Sequence, residues 1–134
     1  MDAVDKFELS TKSPFNQFEF SIDDFKLEIV SAELIVPDEV DWQQLLTKFK
    51  IRVQVIANEA IQYSGPIHLF IDPNSNHPFF ELNAVIDHRI LDSDIDLSTI
   101  NKVFVRIELI QFENSIEPFV LNFNIRRKIQ PDLI

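Results

Sequence analysis

Val103-Phe104-Val105-Arg106-Ile107-Glu108-Leu109 carries the reading on which the fold class rests. Its odd positions are all aliphatic, and Arg106 and Glu108 stand between them. That period of two puts alternate side chains on opposite faces of an extended strand. Coiled into a helix, the same residues would scatter their four aliphatic side chains around the cylinder. Only an extended chain gathers them on one face. The same alternation recurs outward in both directions. Phe119, Leu121, Phe123 and Ile125 alternate with Asn122 and Asn124, and Phe49, Ile51, Val53 and Val55 alternate with Lys50, Arg52 and Gln54.

Weaker runs extend the pattern. Phe80, Leu82, Ala84 and Ile86 follow the break Asn76-His77-Pro78, and Ile67, Leu69 and Ile71 lie between Gly65-Pro66 and Asp72-Pro73-Asn74-Ser75-Asn76. Phe18, Phe20 and Ile22 occupy even positions, whereas Phe25, Leu27 and Ile29 occupy odd ones. A change of phase reverses the buried face, which predicts a turn or bulge at Asp23-Asp24. The phase changes again at Ala32, Leu34 and Val36, which predicts a second bulge at Val30-Ser31. One segment has a helical period instead: Trp42, Leu45, Leu46 and Phe49 follow i, i+3, i+4, i+7, with Asp38 as the cap. A shorter helical turn is predicted from Leu97 to Asn101, capped by Asp96. The expected architecture is an antiparallel two-sheet β-sandwich, jelly-roll-like or similar, of about eight strands. One short helix near residues 39–47 connects strands, and residues 1–5 and 130–134 lie loose at the ends.

The chain of 134 residues suits a single domain spanning 1–134, and its 13 phenylalanines are ample for one core without crosslinks. Against 12 Lys and Arg it carries 22 Asp and Glu, a net charge of −10. A field of that sign repels phosphate backbones and anionic lipid, so neither nucleic acid nor a membrane is an expected partner. There is no cysteine, which excludes disulfides, thiol chemistry and cysteine-ligated metals. Gly65 is the only glycine, which excludes the glycine-rich loops that cradle phosphate and the nucleophile elbow of hydrolases. The start, MDAVDKFELS, lacks the basic and apolar regions of a signal peptide, and no run of about 18 apolar residues is present. A cytoplasmic location is expected.

Candidate chemistry is sparse. Asp92, Asp94 and Asp96, spaced by two, would point the same way on an extended loop and are the weak candidates for a hard cation. Calcium loops add glycine, and Asp96 has a competing role as a cap, so no metal and no cofactor is expected. His68, His77 and His88 form no ligand pair on one element. Carboxylate pairs such as Glu81 and Glu108 can be nominated for acid–base work, but no spacing singles one out. Enzymatic activity is therefore not expected. Arg126-Arg127-Lys128 is the one concentrated positive run, suited to an acidic partner. Phe15, Phe18, Phe20 and Phe25 crowd into eleven residues, and Phe79 adjoins Phe80, which puts an aromatic on both faces of one strand. Phe104, Ile110 and Phe112 likewise occupy the polar phase of the Val103 run. Apolar side chains on both faces are either covered by another layer or form a contact surface.

The stretch Ile95-Asp96-Leu97-Ser98-Thr99-Ile100-Asn101-Lys102-Val103-Phe104-Val105-Arg106 resembles a helical turn leading into a core strand in jelly-roll carbohydrate-binding modules. The resemblance covers about twelve residues and implies a sandwich fold. Those modules bind sugar through exposed Trp and Tyr, of which this chain has only Trp42 and Tyr63. The expected function is a non-enzymatic interaction or assembly module that binds another protein or self-associates. The candidate contact residues are Phe79, Phe104, Ile110, Phe112, Arg126, Arg127 and Lys128. Two alternatives stand beside it: a sandwich binding a small ligand or carbohydrate, with or without the help of a cation, and an acidic inhibitor of a basic or nucleic-acid-binding protein.

Overall fold

The alternating run around Val103 becomes β7 (Lys102–Gln111), the second strand of a four-stranded antiparallel sheet. In the computed structural model, residues 2–71, 74, 76–91, 94–113 and 118–128 are described, with backbone alone at 2–4 and 128. The other strands are β1 (Asp2–Ser10), β2 (Phe15–Ser21), β3 (Lys26–Ile35), β4 (Phe49–Ala57), β5 (Ala60–Ile67), β6 (Phe79–Asp87) and β8 (Val120–Lys128). One sheet has the order β1-β8-β3-β6 and the other β2-β7-β4-β5. Strand 1 thus pairs with 8, 2 with 7, 3 with 6 and 4 with 5, as in one long antiparallel ribbon with its tip at the β4–β5 turn. Pairing of β3 with β8 and of β4 with β7 rolls that ribbon into two facing sheets, a jelly roll.

Burial follows the alternation. Val103, Val105, Ile107 and Leu109 face inward from β7, and Leu121, Phe123 and Ile125 face them from β8. All belong to a single contiguous cluster of buried side chains. Phe7 stacks on Phe123 with ring centroids 4.7 Å apart, and Phe49 stacks on Phe119 at 4.6 Å. Each buried phenylalanine contributes about 1.5–3 kcal/mol, and the Phe7–Phe123 stack lies within one sheet, between register partners of β1 and β8. At one side of the sandwich the two edge strands β1 and β2 meet. There Asn16 Nδ2 donates to the Glu8 carbonyl at 2.8 Å.

Both phase changes are structural. A 3-10 turn occupies Ile22–Asp24, and the register of β3 shifts between Ile29 and Ser31 against both neighbours. The extra residue of β6 opposite that shift falls at Leu82-Asn83, with Asn83 in the left-handed region (φ 48°). The bulge leaves Ser31 buried on the outward side, where its Oγ accepts from Asn124 Nδ2 at 2.9 Å. A turn at Leu97–Thr99 forms with Asp96 as its cap.

Three expectations need correction. Residues 2–5 are not loose: β1 pairs with β8 along its whole length, from Asp2 opposite Lys128 to Ser10 opposite Val120. An edge strand shows one face to water, and its charged residues hide the two core positions, Phe7 and Leu9. The strand assigned to Ile67–Ile71 lies earlier, at Ala60–Ile67. Its start is set by the Asn58-Glu59 turn (φ 53° and 61°), a two-residue hairpin of type I′ built without glycine. The helix spans only Trp42–Leu45, with Asp41 rather than Asp38 accepting from the Gln43 and Gln44 amides. Phe49, the i+7 position of that pattern, is recruited instead by β4, opposite Gln111. Residues 130–134 lie outside the described residues.

Candidate protein-contact surface

The outward face of the sheet β2-β7-β4-β5 is built from the polar phase of its strands, and it is not polar throughout. Register places Phe104 beside Ile56, and Ile56 beside Ile61, an apolar row crossing three strands. Ile61 is 58% exposed. Two ladder steps along β7, Gln17, Arg106, Gln54 and Ser64 form the next outward row. Phe15, Glu108, Arg52 and Pro66 form the row after that, and Ile110 beside Lys50 follows.

The charges on this face are arranged by those registers. Glu108 Oε1 accepts from Arg52 Nη2 at 2.6 Å and from Arg52 Nε at 3.1 Å. The Arg106 guanidinium lies 4.2 Å over the Phe15 ring, the diagonal neighbour across the strand pair. Its Nε is buried, 3.9 Å from Glu108, and has no hydrogen-bond partner among the described residues. A single carboxylate thus serves two guanidinium groups. Over the whole face, four cations (Lys50, Arg52, Lys102, Arg106) stand against two carboxylates (Glu19, Glu108), in a chain whose net charge is −10.

The outward face of β1-β8-β3-β6 has the opposite balance. Among the described side chains, five carboxylates (Glu8, Glu28, Glu33, Glu81, Asp87) stand against three cations (Lys6, Lys26, Arg126). Glu28 is partnered by Arg126 at 3.7 Å and Asp87 by Arg89 at 2.8 Å. Glu8, Glu33 and Glu81 have no ion pair among the described residues, and Phe79, 49% exposed, lies beside Glu33.

The seven contact candidates from the sequence are therefore divided. Phe104 and Ile110 share the cationic face. Phe112 follows β7 at the sheet's end, where its amide donates to the Lys48 carbonyl. Phe79 and Arg126 lie on the acidic face. Consecutive residues of a strand point to opposite sides, so Arg126 and Arg127 do not form one patch. Arg127 turns to the other side, where it meets Asp5 at 3.2 Å and lies 5.9 Å over Phe18. The Lys128 side chain lies outside the described residues. The sequence reading missed Phe15, Ile56 and Arg106 as part of the surface, although Ile56 in the phase of Lys50, Arg52 and Gln54 was a legible sign.

Among the described residues the remaining candidates do not converge. Asp92 is outside the described residues. Asp96 caps its turn by accepting from the Ser98 amide and hydroxyl, hydrogen bonds that hold its carboxyl below the ordinary range. Among the described residues no three His, Asp or Glu side chains are grouped to hold a metal. Glu81 and Glu108 lie on opposite outer faces, too far apart to act on one bond. Trp42 is partly buried edge-on against Phe80, and Tyr63 lies over Gly65, so the two do not share a sugar platform. No described helix is long and apolar enough to cross a membrane.

No protein-family model and no curated protein sequence matches the chain. Solved structures do. The chain is similar in fold to the core of Drosophila NLP. The TM-score is 0.52 at 13% identity, covering 93% of this chain and 98% of that one. The crystal structure of the NLP core provides insight into pentamer formation and histone binding. A lesser likeness, TM-score 0.45 at 8% identity, is to the VP2 subviral particle of infectious bursal disease virus, where 32% of that chain is covered. At such identities the NLP likeness bears on fold alone. It agrees with the two-sheet sandwich read from the strand pairings.

Proposed function

We propose that this chain is a non-enzymatic protein-interaction or assembly module, a single domain that works through the outward face of β2-β7-β4-β5. The observation that carries the proposal is the row Phe104–Ile56–Ile61, in which apolar side chains occupy the solvent side of a sheet whose other side is already the core. Apolar residues rimmed by arginine are the composition of interface centres. The face measures about 34 Å along β7 by about 19 Å across four strands, from the usual spacings. That is of order 600 Å2, comparable with the roughly 800 Å2 that each partner contributes to a standard interface. The likeness to a pentamer-forming core supports the same reading.

The test is light scattering during size exclusion, with pull-downs from lysate using the wild type and Ile61→Glu as baits. Oligomers or bound protein lost on Ile61→Glu support the proposal. A monomer whose captured proteins are the same with both baits sinks it. A second reading, an acidic module that engages a basic protein, is favoured by the net charge of −10 and by the histone binding of the NLP core. Binding of a basic protein that survives Ile61→Glu but weakens steeply with salt would favour it over the first.

A further inference from the structure

We infer that the occupant of the cationic face is a second copy of this chain, docked through its opposite, acidic sheet. The inference rests on reading the cationic face as a contact surface, and it names the partner. Charge complementarity carries it. Among the described side chains, the β2-β7-β4-β5 face has four cations against two carboxylates, and the β1-β8-β3-β6 face has five carboxylates against three cations. Lys50 on the first and Glu8, Glu33 and Glu81 on the second have no ion pair among the described residues. Arg106 lies with its guanidinium carbon 4.2 Å over the Phe15 ring, its side chain is 35% exposed, and its buried Nε has no hydrogen-bond partner among the described residues, so it has capacity left for a carboxylate. Both faces also carry exposed apolar residues, Ile61 on one and Phe79 on the other.

Two copies meeting through like faces would set cation excess against cation excess, which costs rather than contributes. Meeting through unlike faces, each pair of copies uses one cationic and one acidic sheet and leaves one of each free. Such head-to-tail contacts close into a ring when the rotation between copies permits, and otherwise continue as a stack.

The experiment uses two variants of the full chain. Lys50→Glu/Ile61→Glu disables the cationic face, and Glu33→Lys/Glu81→Lys disables the acidic one. All four positions are exposed, so far-UV circular dichroism should be unchanged. The wild type is expected to assemble in light scattering, about tenfold more weakly when salt rises from about 50 mM to about 500 mM. Each variant alone should be monomeric, and an equimolar mixture should assemble, because each variant supplies the face the other lacks. An acidic-face variant that still assembles like the wild type, or a mixture that stays monomeric, overturns the inference. A monomeric wild type overturns it too. If that monomer nevertheless captures a different protein in an Ile61-dependent way, the contact-surface reading stands while the second copy is excluded. Should either double variant unfold, single Ile61→Glu and Glu33→Lys give the same readouts.

Discussion

Replacing Glu59 by glycine should stabilise this protein, although loss of a side chain usually weakens a fold. Asn58 and Glu59 form the whole turn between β4 and β5, both with positive φ, 53° and 61°. An L-residue other than Asn, Asp or Gly is disfavoured there by about 1–2 kcal/mol, because its Cβ crowds the following carbonyl. Asn58 suits the first position and also donates through Nδ2 to Thr99 Oγ1 at 3.3 Å, so it should stay. Glycine at 59 removes the crowding but enlarges the freedom lost on folding, which returns about 0.4–1 kcal/mol. The net gain is about 0.5–1 kcal/mol, or a rise of about 2–4 °C in Tm for a chain of this length. Urea unfolding should show a higher midpoint with an unchanged slope. Glu59→Ala is the control, since it removes the same charge from a −10 chain but keeps the Cβ. Equal stabilisation by alanine and glycine would show that charge relief, not backbone strain, is responsible. Destabilisation by glycine would refute the reasoning altogether.

Phe123→Ala deletes a fully buried ring stacked on Phe7 and should cost about 3–5 kcal/mol, against a smaller loss for Phe123→Leu, both measured by urea unfolding. Ser31→Ala leaves Asn124 Nδ2 without its acceptor and should cost about 1 kcal/mol, and a Ser31→Ala/Asn124→Leu double variant should recover part of it. Hydrogen bonds from the Arg89 guanidinium, with its charge, hold the Asp87 carboxyl below the ordinary carboxylate range. Its contribution is thus complete above the unfolded value near pH 3.9 and is lost as pH falls through the lower folded value. Arg89→Leu should raise the Asp87 titration midpoint in NMR and lessen that acid loss. Gly65→Ala would bring a Cβ within 2.8 Å of Tyr63 Cζ, so it should be destabilising alone and much less so in a Tyr63→Ala background.

The central strands were legible because one face of each is buried along nearly its whole length. β7, β4 and β8 are flanked on both sides, and their buried inward positions are all aliphatic or aromatic, so the period of two is unbroken through them. The edge strands were less so. β1 has Phe7 and Leu9 in a field of charge, and β5 (Ala60–Ile67) places Gly65 and Tyr63 where other strands have branched aliphatics. Even so, the turn before β3 and the bulge within it were readable, since each reverses the phase. The surface was half legible. Phe104 and Ile110 announce themselves as apolar residues in a polar phase. Their union with Phe15, Arg52 and Arg106 comes from pairing between strands far apart in sequence, which no local pattern contains. For the same reason Arg126-Arg127-Lys128 looked like a patch: neighbours in sequence were read as neighbours in space, and a strand separates them.

The pairing of β1 with β8, and of β3 with β8, has a consequence during synthesis. Strand β8 lies inside its sheet, yet residues 120–128 leave the ribosome after every other strand. Until then β1 and β3 each show a bare hydrogen-bonding edge and an uncovered aromatic face, with Phe7 waiting for Phe123. Only the β3–β6 pair of that sheet can form earlier, so the sheet as a whole closes late. The nascent chain is an open invitation to strand addition by its neighbours on a polysome, and a holdase that shields residues 2–35 has the most to protect.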